Sequence, residues 1–327
     1  MDETIVNINN EVTNKNKFIT LFKIIFSVII FFYLYTSVQF SDIFSTLRLA
    51  DPILLLFPVI MVFPNIYFQF LKWAIICDIT LKKHNKKEIL RSLFYGFSGG
   101  IATPFRLGEY VGRSMAFDDK GLIEVSAATL IDKLFVMLAV SVFGVVSTIV
   151  FLQLYYGLNW ILAAILYVSA IIFYIFLTYI VTKGEKFQER IKLKFKKKNA
   201  LSEFINSLLA FRHLGLRNFI NIFIVTVALC SVFILQFALL VAAYSNQYTI
   251  MKFVLAGTLV MFVKTIIPPI TLGELGIREG ASVFFLTLMG LNPAIALNAS
   301  LTLFAFNILL PSLTGFILVL IKKNKIK

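Results

Sequence analysis

Six long apolar runs, parted by short polar or basic segments, set the hydrophobic pattern of the chain: Phe18–Phe40, Pro52–Cys77, Gly121–Tyr155, Leu158–Thr182, Phe219–Tyr244 and Pro293–Ile321. Each reaches the ~20 residues that a helix needs to cross a bilayer, so each is predicted to span. Gly121–Tyr155 is longer than that need, and its first turns are expected in or above the headgroups. Two further stretches, Ser92–Asp119 and Met251–Asn292, are apolar but broken by Pro, Gly and charged residues. The first holds the small-residue run Phe94 to Pro104; the second holds a half-helix, Phe253 to Ile267, that stops at Pro268-Pro269. Leu201–Arg217 has apolar positions at Leu201, Phe204, Ile205, Leu208 and Leu209. It reads as an amphipathic helix on the inner membrane surface, or as a longer start to the fifth span.

Basic residues give the sides. Lys15 and Lys17 precede the first run; Lys82, Lys83, Lys86, Lys87 and Arg91 follow the second. Eight Lys or Arg fall between Lys183 and Lys198, and Lys322, Lys323, Lys325 and Lys327 close the chain. The intervening loops are nearly free of positive charge, so both termini and the basic 183–217 loop are expected in the cytoplasm of a plasma-membrane protein. That assignment holds only if the two broken stretches leave on the face they enter, as re-entrant hairpins. Non-helical backbone at membrane depth is tolerated where protein or a water-filled cavity surrounds it, so both hairpins should pack inside the bundle.

Composition agrees: 59% of the residues are hydrophobic and mean hydropathy is +0.88. The expected fold class is therefore all-α, a polytopic integral membrane protein with about six spanning helices and two re-entrant hairpins, forming one transmembrane domain over 1–327. The net charge of +14 sits in short loops, which favours anionic lipid over nucleic acid as its counterpart. Cys77 and Cys230 lie at or in apolar runs, and His84 and His213 stand in basic surroundings. No disulfide, metal or other cofactor is expected. A glycosylation sequon at Asn298 falls in an apolar run and carries no meaning there.

The pattern P-x-x-L-G-E-x-x-x-R occurs twice, 165 residues apart: Pro104, Leu107, Gly108, Glu109, Arg113 and then Pro269, Leu272, Gly273, Glu274, Arg278. Both copies fall in the broken stretches. The same offset carries Pro52–Cys77 onto the fifth span and Gly121–Tyr155 onto the sixth. Two repeat units result, about 52–155 and about 217–321, each span, hairpin, span, and they start on opposite sides. Inverted repeats with matching helix breaks mark the working site of many transporters. Charges at membrane depth cost roughly 2.5–3.5 kcal/mol each, so Arg106, Glu109, Arg113, Asp132 and Lys133 of the first unit and Glu274 and Arg278 of the second are candidate substrate-binding residues. Glu279 belongs to the same second charged set. Glu109–Arg113 and Glu274–Arg278 are i, i+4 pairs with Glu leading. Their guanidinium groups suit a phosphate. Alternatively, each pair is a clamp that only holds its hairpin shut. Asp132 and Lys133 point about 100° apart on a helix, so each needs another partner; Arg106 or Arg113 suits Asp132.

The segments Thr103 to Arg113, Ala128 to Phe135, Pro269 to Gly280 and Leu310 to Gly315 resemble the lysylphosphatidylglycerol synthase transmembrane region family, also called flippase-like domain proteins, of the phosphatidylglycerol lysyltransferase or multiple peptide resistance factor type. The resemblance implies an inner-membrane protein that moves aminoacylated phosphatidylglycerol or, in relatives, other anionic or polyprenyl-linked lipids. Two departures matter. The soluble domain that transfers lysine in bifunctional members has no counterpart in these 327 residues, and Leu301–Leu310 lacks the Arg found in relatives.

Three readings follow. The first is a lipid flippase whose Arg106, Arg113 and Arg278 hold a phosphate while Glu109 and Glu274 meet any amine. The second is the membrane part of a lysyltransferase or other lipid-modifying transferase, with Glu109 or Asp132 as general base; two carboxylates without a nucleophile lend that little support. The third is a scaffold for a separate cytoplasmic synthase or glycosyltransferase. A phospholipid or polyprenyl-linked lipid is the expected small partner, a homo-oligomer is an open arrangement, and no nucleic acid is expected.

Overall fold

Helix accounts for nearly all of the computed structural model, which describes residues 34–36, 38–183, 215–267 and 276–325. The helices are α1 (Phe40–Arg48), α2 (Pro52–Ile60), α3 (Val62–Leu81), α4 (Lys86–Ala102), α5 (Leu107–Ser114), α6 (Leu122–Tyr156), α7 (Trp160–Lys183), α8 (Gly215–Ser245), α9 (Ile250–Ile266), α10 (Ile277–Leu288), α11 (Pro293–Phe304) and α12 (Leu310–Lys325). The starts are capped as their sequences dictate. Asp51 and Asn292 accept backbone N–H groups ahead of a Pro at the first helical position, and Asn85 caps α4.

Among the described residues, four helical stretches are long and apolar enough to cross a membrane: Pro52–Leu81, Leu122–Tyr156, Gly215–Ser245 and Pro293–Lys322. The protein is an all-α, multi-pass membrane protein. α7 occupies the expected fourth run. The run Phe18–Phe40 lies outside the described residues except for its end, as does most of the 183–217 loop with its expected amphipathic helix. At 35 residues, α6 is longer than a bilayer crossing requires.

Two of the four stretches are interrupted, and proline explains both. Pro64 has no N–H for the Ile60 carbonyl and its ring crowds that turn, so the helix breaks at Met61 between α2 and α3. Pro311 does the same to the carbonyl of Asn307, and Ala305–Leu309 forms a π turn between α11 and α12. A buried amide ties the two breaks together. Gln236 of α8 donates to the Pro58 carbonyl at 2.8 Å and accepts from Asn307 at 2.7 Å.

The motif-bearing stretches fold as helical hairpins. In the first, α4 and α5 are joined by a tight turn over Pro104–Arg106. The expected start of this hairpin at Ser92 is late, because α4 begins at Lys86 inside the basic segment. Thr103, which precedes proline, is extended and ends α4. Phe105 and Arg106 then take left-handed conformations to reverse the chain. The arms touch backbone to backbone. A Cβ on Gly99 would lie 2.1 Å from the Gly108 carbonyl oxygen, and one on Gly112 would lie 2.2 Å from that of Tyr95. α9 opens the second hairpin and packs on α10. Like α4 it has 17 residues, and it ends at an extended residue, Ile267, before a proline.

Each hairpin docks on a helix from the other half of the chain. α4 lies on α12, where a Cβ on Gly315 would lie 2.1 Å from the Phe94 carbonyl oxygen. Ser98 donates to the Ser312 carbonyl at 2.7 Å and Ser312 donates to the Phe97 carbonyl at 3.0 Å. α9 lies on α6, where a Cβ on Gly144 would strike the Phe262 ring. On α11, Asn298 is 3% exposed and donates to the Ile43 carbonyl of α1, so the sequon is closed to any glycan.

Candidate functional site

The first hairpin closes over a knot of six charged side chains. Arg106, Glu109 and Arg113 come from the turn and α5, Asp132 and Lys133 from α6, and Lys72 from α3. Glu109 stands at the centre. Its Oε1 accepts from Arg113 Nη2 at 2.8 Å, and its Oε2 accepts from Lys133 Nζ at 2.7 Å and faces Arg106 Nε at 3.0 Å. Asp132 Oδ2 lies 3.0 Å from Arg113 Nη2, and Oδ1 lies 2.8 Å from Lys72 Nζ. The Arg106 and Lys72 contacts are held by charge without an aligned hydrogen bond. Arg113 also lies over the Trp73 ring, its Cζ 4.2 Å from the centroid, a cation–π contact. Trp73 in turn donates to Ser92 Oγ, and Ser92 donates to the backbone carbonyl of Arg113 at 2.8 Å.

Exposure grades the cluster. Glu109, Arg113, Lys72 and Asp132 side chains are 2–5% exposed, Arg106 is 16% and Lys133 32%. The carboxylates form the floor and two cations form the rim. Arg113 Nε and Nη1 are buried with no hydrogen-bond partner. Burying a charge is tolerated only with partners, and breaking one such pair typically costs 3–5 kcal/mol. The cluster is therefore enclosed by these helices except at its Arg106–Lys133 edge.

The second hairpin carries a smaller cluster. Arg278 is fully buried and pairs with the adjacent Glu279. Its Nε donates to Ser300 Oγ of α11 at 3.0 Å, and its Cζ lies 5.3 Å from the Phe304 ring centroid. Glu279 Oε2 caps α10 by accepting from Gly276 N at 2.7 Å, which turns its carboxylate back toward Arg278. Arg278 Nη1 is buried without a partner. Pro269, Gly273 and Glu274 lie outside the described residues, and the expected Glu274–Arg278 pair with them.

The structure thus gathers Arg106, Glu109, Arg113, Asp132 and Lys133 in one site and holds Arg278 in another. Asp132 meets Arg113, and Lys133 reaches Glu109 rather than its own neighbour. Pro104 and Gly108 form the hairpin backbone, as their breaker chemistry implies. Sequence reasoning missed Lys72, Trp73, Ser92 and Ser300. The signal for Lys72 was present: a single cation inside an otherwise apolar run, which marks function by default. Ser92, Trp73 and Ser300 gave none, because serines and aromatics are common in membrane helices. Beyond the far end of this hairpin lies a cavity of about 380 Å³, walled by Lys83, Glu88, Arg91, Asp118, Asp119 and Lys322. Lys83 there holds the Asp119 carboxyl below its ordinary range through a hydrogen bond. That cavity is separate from the buried cluster.

A comparison with curated proteins found no match. The family model of the lysylphosphatidylglycerol synthase TM region matches residues 20–315, a span that includes both hairpins, both charge clusters and the start of α12. The chain belongs to the lysylphosphatidylglycerol synthase transmembrane region family.

Proposed function

We propose that this protein is a flippase-like lipid transporter, which binds the headgroup of an anionic or aminoacylated phospholipid between its hairpins while the acyl chains stay in the bilayer. One observation carries this reading: a buried guanidinium, Arg113, keeps two N–H positions without acceptors beside a cationic edge at Arg106 and Lys133. A phosphate supplies the acceptors that the protein does not. The inverted repeats read from the sequence, each span, hairpin and span, support alternating access, and the basic segments support both termini on the cytoplasmic side of the plasma membrane. The first hairpin is hydrogen-bonded to α12 of the other half, so motion of that half is transmitted to it.

The family's name favours a second reading, a membrane component that works with a separate lysyltransferase or, for a lipid-linked sugar, a glycosyltransferase. The test is reconstitution of the purified chain alone in vesicles carrying labelled phosphatidylglycerol or its lysyl ester in one leaflet. Transfer between leaflets, lost in Arg106→Gln/Lys133→Gln protein that remains folded, is the expected result. Lipid bound but never moved would refute transport and favour the second reading.

A further inference from the structure

At the two helix breaks lies a second polar group, and this one carries no charge. Asn65, Gln69, Gln236 and Asn307 sit inside the apolar stretches Pro52–Leu81, Gly215–Ser245 and Pro293–Lys322. They form two hydrogen-bonded pairs. Gln69 donates to Asn65 Oδ1 at 2.6 Å, and Asn307 donates to Gln236 Oε1 at 2.7 Å. Gln236 also donates to the Pro58 carbonyl, which can only accept, so the orientations of its own amide and of the Asn307 amide are fixed. Each pair leaves one buried atom over. Asn65 Nδ2 is a donor without an acceptor, and Asn307 Oδ1 is an acceptor without a donor. The two residues are 1% and 4% exposed, and leaving such atoms unmet in a membrane interior is costly. An open donor and an open acceptor are what a hydroxyl satisfies, because it both accepts and donates. The Ala305–Leu309 turn packs on α3, and Gln236 ties that turn to the α2 backbone just before the Met61 break, so the two pairs belong to one junction. Gln69 is only half-buried and gives the junction an accessible edge. The junction also lines up with the charged cluster. Asn65, Gln69 and Lys72 follow one another at i, i+4 and i+7 on one face of α3, and Lys72 reaches Asp132 at 2.8 Å. From Asn65 to Lys72 the rise along the axis is about 10 Å.

On the basis of the transport reading, we infer that this amide junction is a second subsite on the same ligand path, and that it takes the hydroxyl groups of a polyhydroxylated headgroup whose phosphate is held at Arg113. The uncharged face of α3 carries the headgroup between the two places. A polyol ring covers more of that distance than a glycerol does, so the larger headgroup gains more from the junction.

The test uses the full chain in detergent with phosphodiester lipids of identical acyl chains and charge: phosphatidylinositol, phosphatidylglycerol and phosphatidylmethanol, the last without a hydroxyl. Retained lipid is read by native mass spectrometry and thermal stabilisation in parallel. Phosphatidylinositol is expected to be retained about fivefold over phosphatidylmethanol, the worth of one net neutral hydrogen bond, with phosphatidylglycerol between. Asn65→Leu/Gln69→Leu replaces both members of one pair by apolar side chains, a change close to neutral for folding. It should bring the lipids level and leave phosphatidylmethanol bound as before, since Arg113 is untouched. If the double variant does not fold, Asn65→Leu alone, which keeps the half-buried Gln69, gives the same readout. Equal retention of phosphatidylinositol and phosphatidylmethanol by the unaltered protein overturns this inference and leaves transport standing. An unchanged preference in the folded variants overturns it as well. Retention of no lipid by the unaltered protein ends both. Free glycerophosphoinositol that stabilises the protein as well as phosphatidylinositol does at equal concentration overturns the lipid assignment in favour of a soluble polyol phosphate.

Discussion

Asp132 and Lys72 form the part of the cluster where a charge change has the most lopsided consequence. Asp132 has two cationic partners, Arg113 and Lys72, whereas Lys72 has Asp132 alone among the described residues. Asp132→Asn therefore strands an ammonium that is 4% exposed. Stranding one member of a buried pair costs about 3–5 kcal/mol. Lys72→Met removes the only ion that depends on Asp132 and keeps the volume of the chain. Asp132 still has Arg113, so the expected cost is about 1 kcal/mol. In the double variant no charge is stranded, and the loss should fall to about 1–2 kcal/mol, a coupling of about 2 kcal/mol or more. The assay is thermal unfolding in detergent at a fixed scan rate, followed by tryptophan fluorescence. Trp73 lies under Arg113 and Trp160 is exposed, so a change in the cluster is read mainly through Trp73. A Lys72→Met protein as damaged as Asp132→Asn, or a double variant worse than either, would refute the reasoning.

The hairpin backbone gives a second prediction: Gly99→Ala forces a methyl to 2.1 Å from a carbonyl oxygen and should prevent assembly or cost well over the usual 1–3 kcal/mol of overpacking, while Gly121→Ala, which meets open space, should leave the unfolding midpoint unchanged. Gln236→Leu leaves the Pro58 carbonyl and Asn307 without their amide partner and should lower stability by about 1–3 kcal/mol in the same assay. Cysteines placed at Lys86, Lys196 and Lys325 should be protected from an impermeant thiol reagent in intact cells, and one at Asn246 should be labelled; labelling at Lys196 would end the inverted arrangement.

The fold class was legible because lipid leaves so few solutions: long apolar runs must be helices, and proline and glycine must stop them. The Pro104 and Gly108 hairpin followed from that rule, and so did the burial of Glu109, Arg113 and Asp132. Two things were hidden. The breaks at Met61 and at Ala305–Leu309 fall inside runs that hydropathy reads as continuous, and only Pro64 and Pro311 marked them. Partner choice was hidden as well. Arg113 is shared between Glu109, its i, i+4 partner, and Asp132, 19 positions away, and among the described residues Arg278 meets its own neighbour Glu279 and Ser300, which no spacing rule marks. Spacing on one helix says which residues can meet, and tertiary packing decides which do.

The exchange of hairpins between halves follows from the same small-residue chemistry and bears on how such a protein could move. Without a hydrophobic force between helices in lipid, close contacts come from glycine and serine. The α4–α12 contact uses Gly315 and the paired Ser98–Ser312 bonds, all with backbone partners. The α6–α9 contact uses Gly144 against one ring face, with no hydrogen bond across it among the described residues. The first is a directional contact with a defined register; the second is held by packing alone among the described residues. In the proposed rocking of the two halves, the first hairpin would therefore stay fixed to α12 and carry Arg106, Glu109 and Arg113 with it. The relative motion would fall between α5 and α6, where Arg113–Asp132 and Lys133–Glu109 bridge the gap. The charge cluster would then be both the headgroup site and the contact that must rearrange, and a ligand phosphate that replaces carboxylate partners of Arg106 and Lys133 would lower the barrier to that rearrangement.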